Sequence, residues 1–466
     1  MPAAVLKDYS EIFLMTQVKI LRAALSLAVM MTVTLSVQAQ SGTTRGAQKD
    51  APAPAAPTPA PLPSDAGVLF ADAEGYTERK FTEFKQNKVI YSVRLEAEVL
   101  QQQRELAAQH AAQLVARGQL KGTDDYYLGL LYMLAGRPET ALPELRRFLV
   151  ASPDADKAFL QRARFVISTQ TAGTNQFAEA EAMLAAYARS EPQTPLELFR
   201  LHNALSNAYY KDNKLELGAA HAAAAYELMK DPRTEMADAA LRARLVGGAG
   251  LALVRFKLGL KREAEATAVL EELLRFGLRA PAAHVYGDAL ALLAQEGHAD
   301  AAARALDESA ATDAPAPEID GIIDWIDQPP AKLADLRGHV VLLDFWATWC
   351  GPCQVTMPKL KTLHERFKSQ GLVVIGVTML YGRARGAPLT PGEELGYLRA
   401  FKKEQRLPYG FAVAADEANE LRYGVRSIPT AVLIDKRGRV RFITVGASAT
   451  GDDGLARAIK KLLAEE

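Results

Sequence analysis

The spacing of apolar and polar positions changes character once along the chain. From residue 68 to about 309, Leu, Ala and aromatic residues recur every three or four positions among Glu, Arg and Gln. That is the period of an amphipathic helix, and no alternating run interrupts it, so the whole stretch is expected to be helical. From about residue 318, apolar β-branched runs alternate with helical stretches. A strand is expected at 340–346, a helix at 354–370 and a strand at 372–378, with further elements at 393–404, 419–423, 431–435, 439–445 and 454–463. Such alternation predicts an α/β sheet. Lys436-Arg437-Gly438-Arg439 predicts a hairpin turn, and with it antiparallel pairing of the last two strands.

Proline punctuates these regions. Residues 41–64 are rich in Pro and Ala, and Asp313-Ala314-Pro315-Ala316-Pro317 is a shorter echo. Proline removes backbone donors and favours an extended conformation, so the first stretch reads as a semi-rigid spacer and the second as a boundary. Upstream, Lys19 and Arg22 precede an uncharged apolar run over 23–37, and Val37-Gln38-Ala39 offers small residues for a signal peptidase. A signal peptide over 1–39 is expected, with Met15 as an alternative start. The competing reading is an uncleaved anchor in an inner membrane, because residues 20–37 approach spanning length. No cysteine lies near the cleavage site, which excludes a lipoprotein. The expected organisation is therefore a signal at 1–39, a linker at 40–66, a helical-repeat domain at 67–310, a linker at 311–318 and an α/β domain at 319–466.

The helical region is self-similar. Leu128, Gly129, Tyr132, Gly136, Ala141, Leu145, Phe148 and Pro153 alternate small and large residues as two closely packed antiparallel helices require, and in that order they resemble a tetratricopeptide (TPR) repeat. Weaker copies run through Asn175, Ala180, Leu184, Tyr187 and Pro192, then through Tyr209, Asn213, Gly218 and Ala225. The series continues with Gly259 and Ala264, then Gly297 and Ala302. Turn positions 136, 175, 213, 259 and 297 are mostly 38 or 39 apart, longer than the roughly 34 of that repeat. A generic stack of helical hairpins is the alternative. Both predict a solenoid whose concave face suits a protein or peptide partner.

A 466-residue chain allows about three domains. Its formal net charge of zero excludes a nucleic-acid partner, which would require a basic excess to neutralise phosphates. The two cysteines are more informative, because both fall in Trp349-Cys350-Gly351-Pro352-Cys353. An apolar strand runs into this segment and a helix leaves it, which puts Cys350 at a helix N-terminus. Unsatisfied amides and the helix dipole there favour thiolate over thiol. Two cysteines so spaced can also close a disulfide. The chain reads as a dithiol/disulfide exchanger with no cofactor. An exported protein can carry structural disulfides, and this one has no cysteine beyond the reactive pair.

Asp344-Phe345-Trp346-Ala347-Thr348-Trp349-Cys350-Gly351-Pro352-Cys353 resembles the active-site stretch of thioredoxins, and Tyr423-Gly424-Val425-Arg426-Ser427-Ile428-Pro429-Thr430 resembles their cis-proline loop. Residues 333–340 and the insertion around 378–408 are more similar to the exported TlpA/ResA-like branch. The resemblance covers roughly 318–466 and implies a thioredoxin fold, so the fold class expected is multidomain: an all-α, TPR-like solenoid followed by an α/β thioredoxin fold.

The resemblance also implies roles. Cys350 is the exposed nucleophile that forms a mixed disulfide, and Cys353 is the more buried thiol that resolves it. Pro352, after Gly351, sets the helix start. Asp344 moves the proton of the resolving thiol, and desolvation raises its pKa. Trp349 shields the thiolate and joins the docking surface. The cis bond before Pro429 leaves the backbone of Ile428 to pair with an extended substrate. Residues 372–377 lack the lysine that thioredoxins often place near the buried acid. Further implications are disulfide-bearing exported substrates, apocytochromes among them, a reducing direction of electron flow, and a DsbD- or CcdA-like membrane donor.

Zinc is excluded by the absence of a second cysteine pair, and covalent haem by Gln354 where a histidine is needed. Two alternatives stay open. One is a TPR-type scaffold with a redox-switch domain. The other is a thioredoxin-fold, peroxiredoxin-like peroxidase, although Thr348 stands two residues before Cys350 where such enzymes usually place Thr three before.

Overall fold

The computed structural model describes residues 65–465, apart from 90–91, 121, 235, 237, 299, 302–303, 306–314 and 448–451. The expected signal, the alternative start at Met15 and nearly all of the first spacer lie outside the described residues, as does the beginning of the 311–318 segment. The chain forms two compact units, one ending at Ala163 and one beginning at Arg164. No described helix is long and apolar enough to cross a membrane.

In the first unit, helices α1 (Ala66–Glu74), α2 (Tyr76–Gln86) and α3 (Val93–Ala116) precede a tight antiparallel pair, α4 (Asp124–Leu134) and α5 (Pro138–Ala151). Gly136 makes the turn between the pair at φ +73. A Cβ on Gly129 would lie 2.6 Å from Cγ of the fully buried Leu145, so only glycine permits this approach. Gly129→Val is expected to destabilise this unit by about 2 kcal/mol, because overpacking outweighs the better helix propensity. A thermal melt followed by far-UV circular dichroism checks this; an unchanged first transition would refute it.

Helix α6 (Lys157–Gly173) carries the chain into the second unit, where α7 (Phe177–Ala188), α8 (Pro195–Lys211), α9 (Leu215–Lys230), α10 (Ala239–Gly259), α11 (Glu263–Arg279) and α12 (Ala283–Gln295) follow. Asn175, Asn213 and Gly297 hold left-handed turns at the expected positions. The turn expected at Gly259 is made two residues later by Lys261, at φ +58, because α10 continues through Gly259.

The sheet contains β1 (Ile322–Ile326), β2 (Val340–Phe345), β3 (Leu372–Met379), β6 (Gly410–Ala414), β7 (Thr430–Ile434) and β8 (Val440–Val445), in the order β1-β6-β3-β2-β7-β8. A small hairpin, β4 (Arg383–Ala384) with β5 (Ala387–Pro388), lies in the insertion. Strand β3 runs parallel to β2 and β6, whereas β2–β7, β7–β8 and β1–β6 are antiparallel.

The two faces of the sheet have different covers. Leu342, Trp346, Phe411 and Leu433 pack with α13 (Gly351–Phe367), α14 (Pro391–Gln405) and α16 (Asp452–Ala464). On the other face Val341, Leu343, Phe345, Ile375, Val432 and Ile443 share one hydrophobic core with Leu273, Tyr286, Ala289 and Leu293 of α11 and α12. Ile319, Leu333 and Tyr423, the last of which follows the short α15 (Ala418–Arg422), join that core. A single core thus runs from the helical stack into the sheet.

Candidate active site

Strand β2 delivers the dithiol. Trp346 N–H extends the ladder to Val377 O at 3.1 Å, and Cys350 N–H closes the turn onto Ala347 O at 3.1 Å. Cys350 is the N-cap of α13, with extended backbone (φ −81, ψ 99) and Pro352 in the first turn. Its Sγ accepts the Cys353 N–H at 3.1 Å, the interaction that a capping oxygen makes elsewhere. In the structure the pair is oxidised: Cys350 and Cys353 form a disulfide with their Cα atoms 5.3 Å apart. Once the bond is reduced, that amide and the helix N-terminus favour Cys350 as the thiolate.

The second signature lies against the first. Ile428–Pro429 is a cis peptide bond, and Ile428 O is 3.7 Å from Cys350 Sγ. Cys350, expected to be exposed, is only 4% exposed, and Cys353 1%. The Ile428 carbonyl packed beside its sulfur accounts for this. Gly351, Pro352 and Trp349 are exposed, Trp349 at 54%, and Trp349 stands edge-on to Tyr381 with ring centroids 5.3 Å apart. Tyr381 belongs to the insertion, which Glu394 anchors by accepting the Tyr381 and Gly382 amides at 2.9 and 2.8 Å. Sequence reading passed over both residues; the insertion itself was the signal.

Strand alternation places Leu342 and Trp346, and therefore Asp344 between them, on the sheet face that carries Cys353 and α13. Asp344 is 2% exposed, and burial pushes its pKa up to about 7. At that value a carboxylate can take a proton from a thiol near neutral pH. No group of His, Cys, Asp or Glu side chains suited to a metal occurs among the described residues.

The site is also tied to the helical stack. Gly424, four residues before Ile428, accepts from His284 N–H at 3.0 Å, its carbonyl lies 2.9 Å from His284 Nδ1, and Tyr423 O accepts from Ala283 N–H at 2.9 Å. Gly424 sits at φ +61, where a Cβ would come within 2.9 Å of Ala282 Cα. Nothing in the sequence pairs these residues.

Residues 312–443 match the AhpC/TSA family. Over 123 residues the chain is 32% identical to the thiol-disulfide oxidoreductase ResA of Geobacillus thermodenitrificans, which covers 26% of this chain and 63% of that protein. It is 34% identical over 137 residues to protein DipZ of Mycobacterium bovis, covering 28% of this chain and 18% of that one. The chain therefore spans less than two thirds of these relatives. Among solved structures, a thiol-disulfide isomerase from Corynebacterium glutamicum aligns at 23% identity and a TM-score of 0.28, over 32% of this chain and 98% of that one.

Proposed function

We propose that this chain, whose C-terminal part is a thioredoxin-like domain matching the AhpC/TSA family and related to ResA, is an extracytoplasmic protein-disulfide reductase. The observation that carries the reading is the Cys350–Cys353 disulfide at the N-terminus of α13, beside the cis peptide bond before Pro429. In the reduced protein, the Cys350 thiolate attacks one sulfur of a substrate disulfide; a mixed disulfide forms and one substrate thiolate leaves. Asp344 takes the proton of Cys353, whose thiolate then attacks Cys350 Sγ and releases the second substrate thiolate. Two electrons pass to the substrate, and the protein is left with the Cys350–Cys353 disulfide. Trp349, Gly351, Pro352, Ile428 and Pro429 form the surface that receives the substrate. A membrane dithiol donor of the DsbD or CcdA type restores the dithiol, and the helical repeats recruit the protein substrate. The expected organisation, with an exported helical-repeat domain over 67–310 and a redox domain over 319–466, belongs to the same reading.

The decisive measurement is the reduction potential of the pair in the full chain, equilibrated against a thiol buffer. A value near about −270 mV, with dithiothreitol-driven reduction of insulin, is the expected result. A value near about −120 mV would make the protein an oxidant and reverse the direction of electron flow.

A further inference from the structure

Tyr381 lies two residues beyond the end of β3, where the insertion begins, and it is fixed from three sides. Its backbone is held by Glu394 of α14, a buried carboxylate that accepts the Tyr381 and Gly382 amides at 2.9 and 2.8 Å. The Gly382 carbonyl in turn accepts the Leu389 N–H at 2.9 Å, which closes the base of the β4–β5 hairpin. The ring is half-buried and packs on the core beneath α13, with its neighbour Leu380. The phenol reaches Glu420 of α15, three residues before the cis-proline loop begins at Tyr423. Burial, and then the charge of Glu420 and a hydrogen bond to it, hold the phenol above its ordinary pKa, so it stays protonated and donates to that carboxylate. The remaining contact is the edge-on one to Trp349. Tyr381 thus bridges the dithiol turn and the helix that leads into the cis-proline loop, although the exchange chemistry uses neither Tyr381 nor Glu420.

We infer that Tyr381 is a positioning residue: braced by Glu394 and Glu420, it holds the Trp349 indole in the orientation that an extended peptide meets when its disulfide is presented to Cys350. The inference rests on the proposed exchange at Cys350 and adds the device by which a peptide disulfide is favoured over a small one. Trp349 is more than half exposed. A surface indole left to itself samples several rotamers, and immobilising it on docking weakens binding. A second ring edge-on at this distance attracts it, and here that ring is itself anchored. The indole is therefore ordered before the substrate arrives. A small disulfide has no flanking backbone to lie across Trp349 and gains nothing from this order.

The test measures, for the reduced full-length protein in a single turnover, the second-order rate constants for a peptide disulfide and for bis(2-hydroxyethyl) disulfide. Their ratio is the readout, because a ratio within one protein sample is insensitive to partial misfolding. Tyr381→Ala is expected to lower the ratio of peptide to small-disulfide rate about tenfold. Glu420→Ala, which leaves the ring but removes its anchor, should lower it about threefold. Glu420→Gln keeps an acceptor for the phenol and should restore the ratio. Once Trp349→Ala is present, Tyr381→Ala is expected to change the ratio no further, since the residue acts through the indole. An unchanged ratio in Tyr381→Ala or in Glu420→Ala overturns the inference and leaves the reductase reading in place. So does a full loss from Tyr381→Ala in the protein that already lacks Trp349. If the unsubstituted protein reduces neither disulfide, the exchange reading itself fails, and the inference falls with it.

Discussion

Cys350→Ser is expected to lose disulfide-reductase turnover by on the order of 10³-fold or more, because no other thiol in the chain can make the first attack. The second cysteine does not rescue it: Cys353 lies behind the cap, 1% exposed, and its own amide points at the sulfur of Cys350. Cys353→Ser should behave differently. The first attack remains, resolution is lost, and a mixed disulfide with substrate accumulates as a band on non-reducing gels that dithiothreitol removes. Turnover surviving in Cys350→Ser, or an adduct forming equally well in both variants, would break the assignment of roles.

Asp344→Asn is expected to stabilise the protein at alkaline pH while impairing it as a catalyst. Unfolded, the carboxyl titrates near about 3.9; folded, burial pushes it up to about 7. Between those values the folded protein holds a proton that the unfolded chain has released. Stability therefore falls as pH rises from about 4 to about 7, by about 1.4 kcal/mol per pH unit, and levels off above. The asparagine variant lacks this slope. The two proteins should be similar near pH 4 and differ by a few kcal/mol in favour of Asp344→Asn at pH 8, read as unfolding midpoints in urea. In the same variant, first attack proceeds normally and release of the mixed disulfide slows by about 10²-fold, since the base for Cys353 is gone. Parallel stability curves from pH 4 to 8 would show that the carboxyl does not titrate in this window.

What could be read from the chain was local. The dithiol turn depends on residues within a few positions of one another, and so does the cis-proline loop. The helical hairpins declared themselves through Gly129, Ala141 and Leu145 and through the left-handed turn residues. Strand β6 did not, because Gly410-Phe411-Ala412-Val413-Ala414 has little β-propensity; it is a strand because β3 and β1 pair with it on either side. Strand β1, Ile322-Ile323-Asp324-Trp325-Ile326, has the β-branched and aromatic residues of a strand, but it is short and its partner β6 is distant in sequence. The contact between His284 and Gly424 spans 140 positions, and neither residue carries a periodic signal. Burial of Cys350 was equally hidden, for it depends on a loop 78 positions away.

One sheet face is roofed by α11 and α12 and not by helices of the redox fold alone, and this bears on how the two halves of the gene can change. A recombination event that exchanged the C-terminal module at the proline-rich junction would leave Val341, Leu343, Phe345 and Ile443 facing water until a matching roof arrived with it. Substitutions on the inner side of α12 are in that sense substitutions in the sheet domain as well.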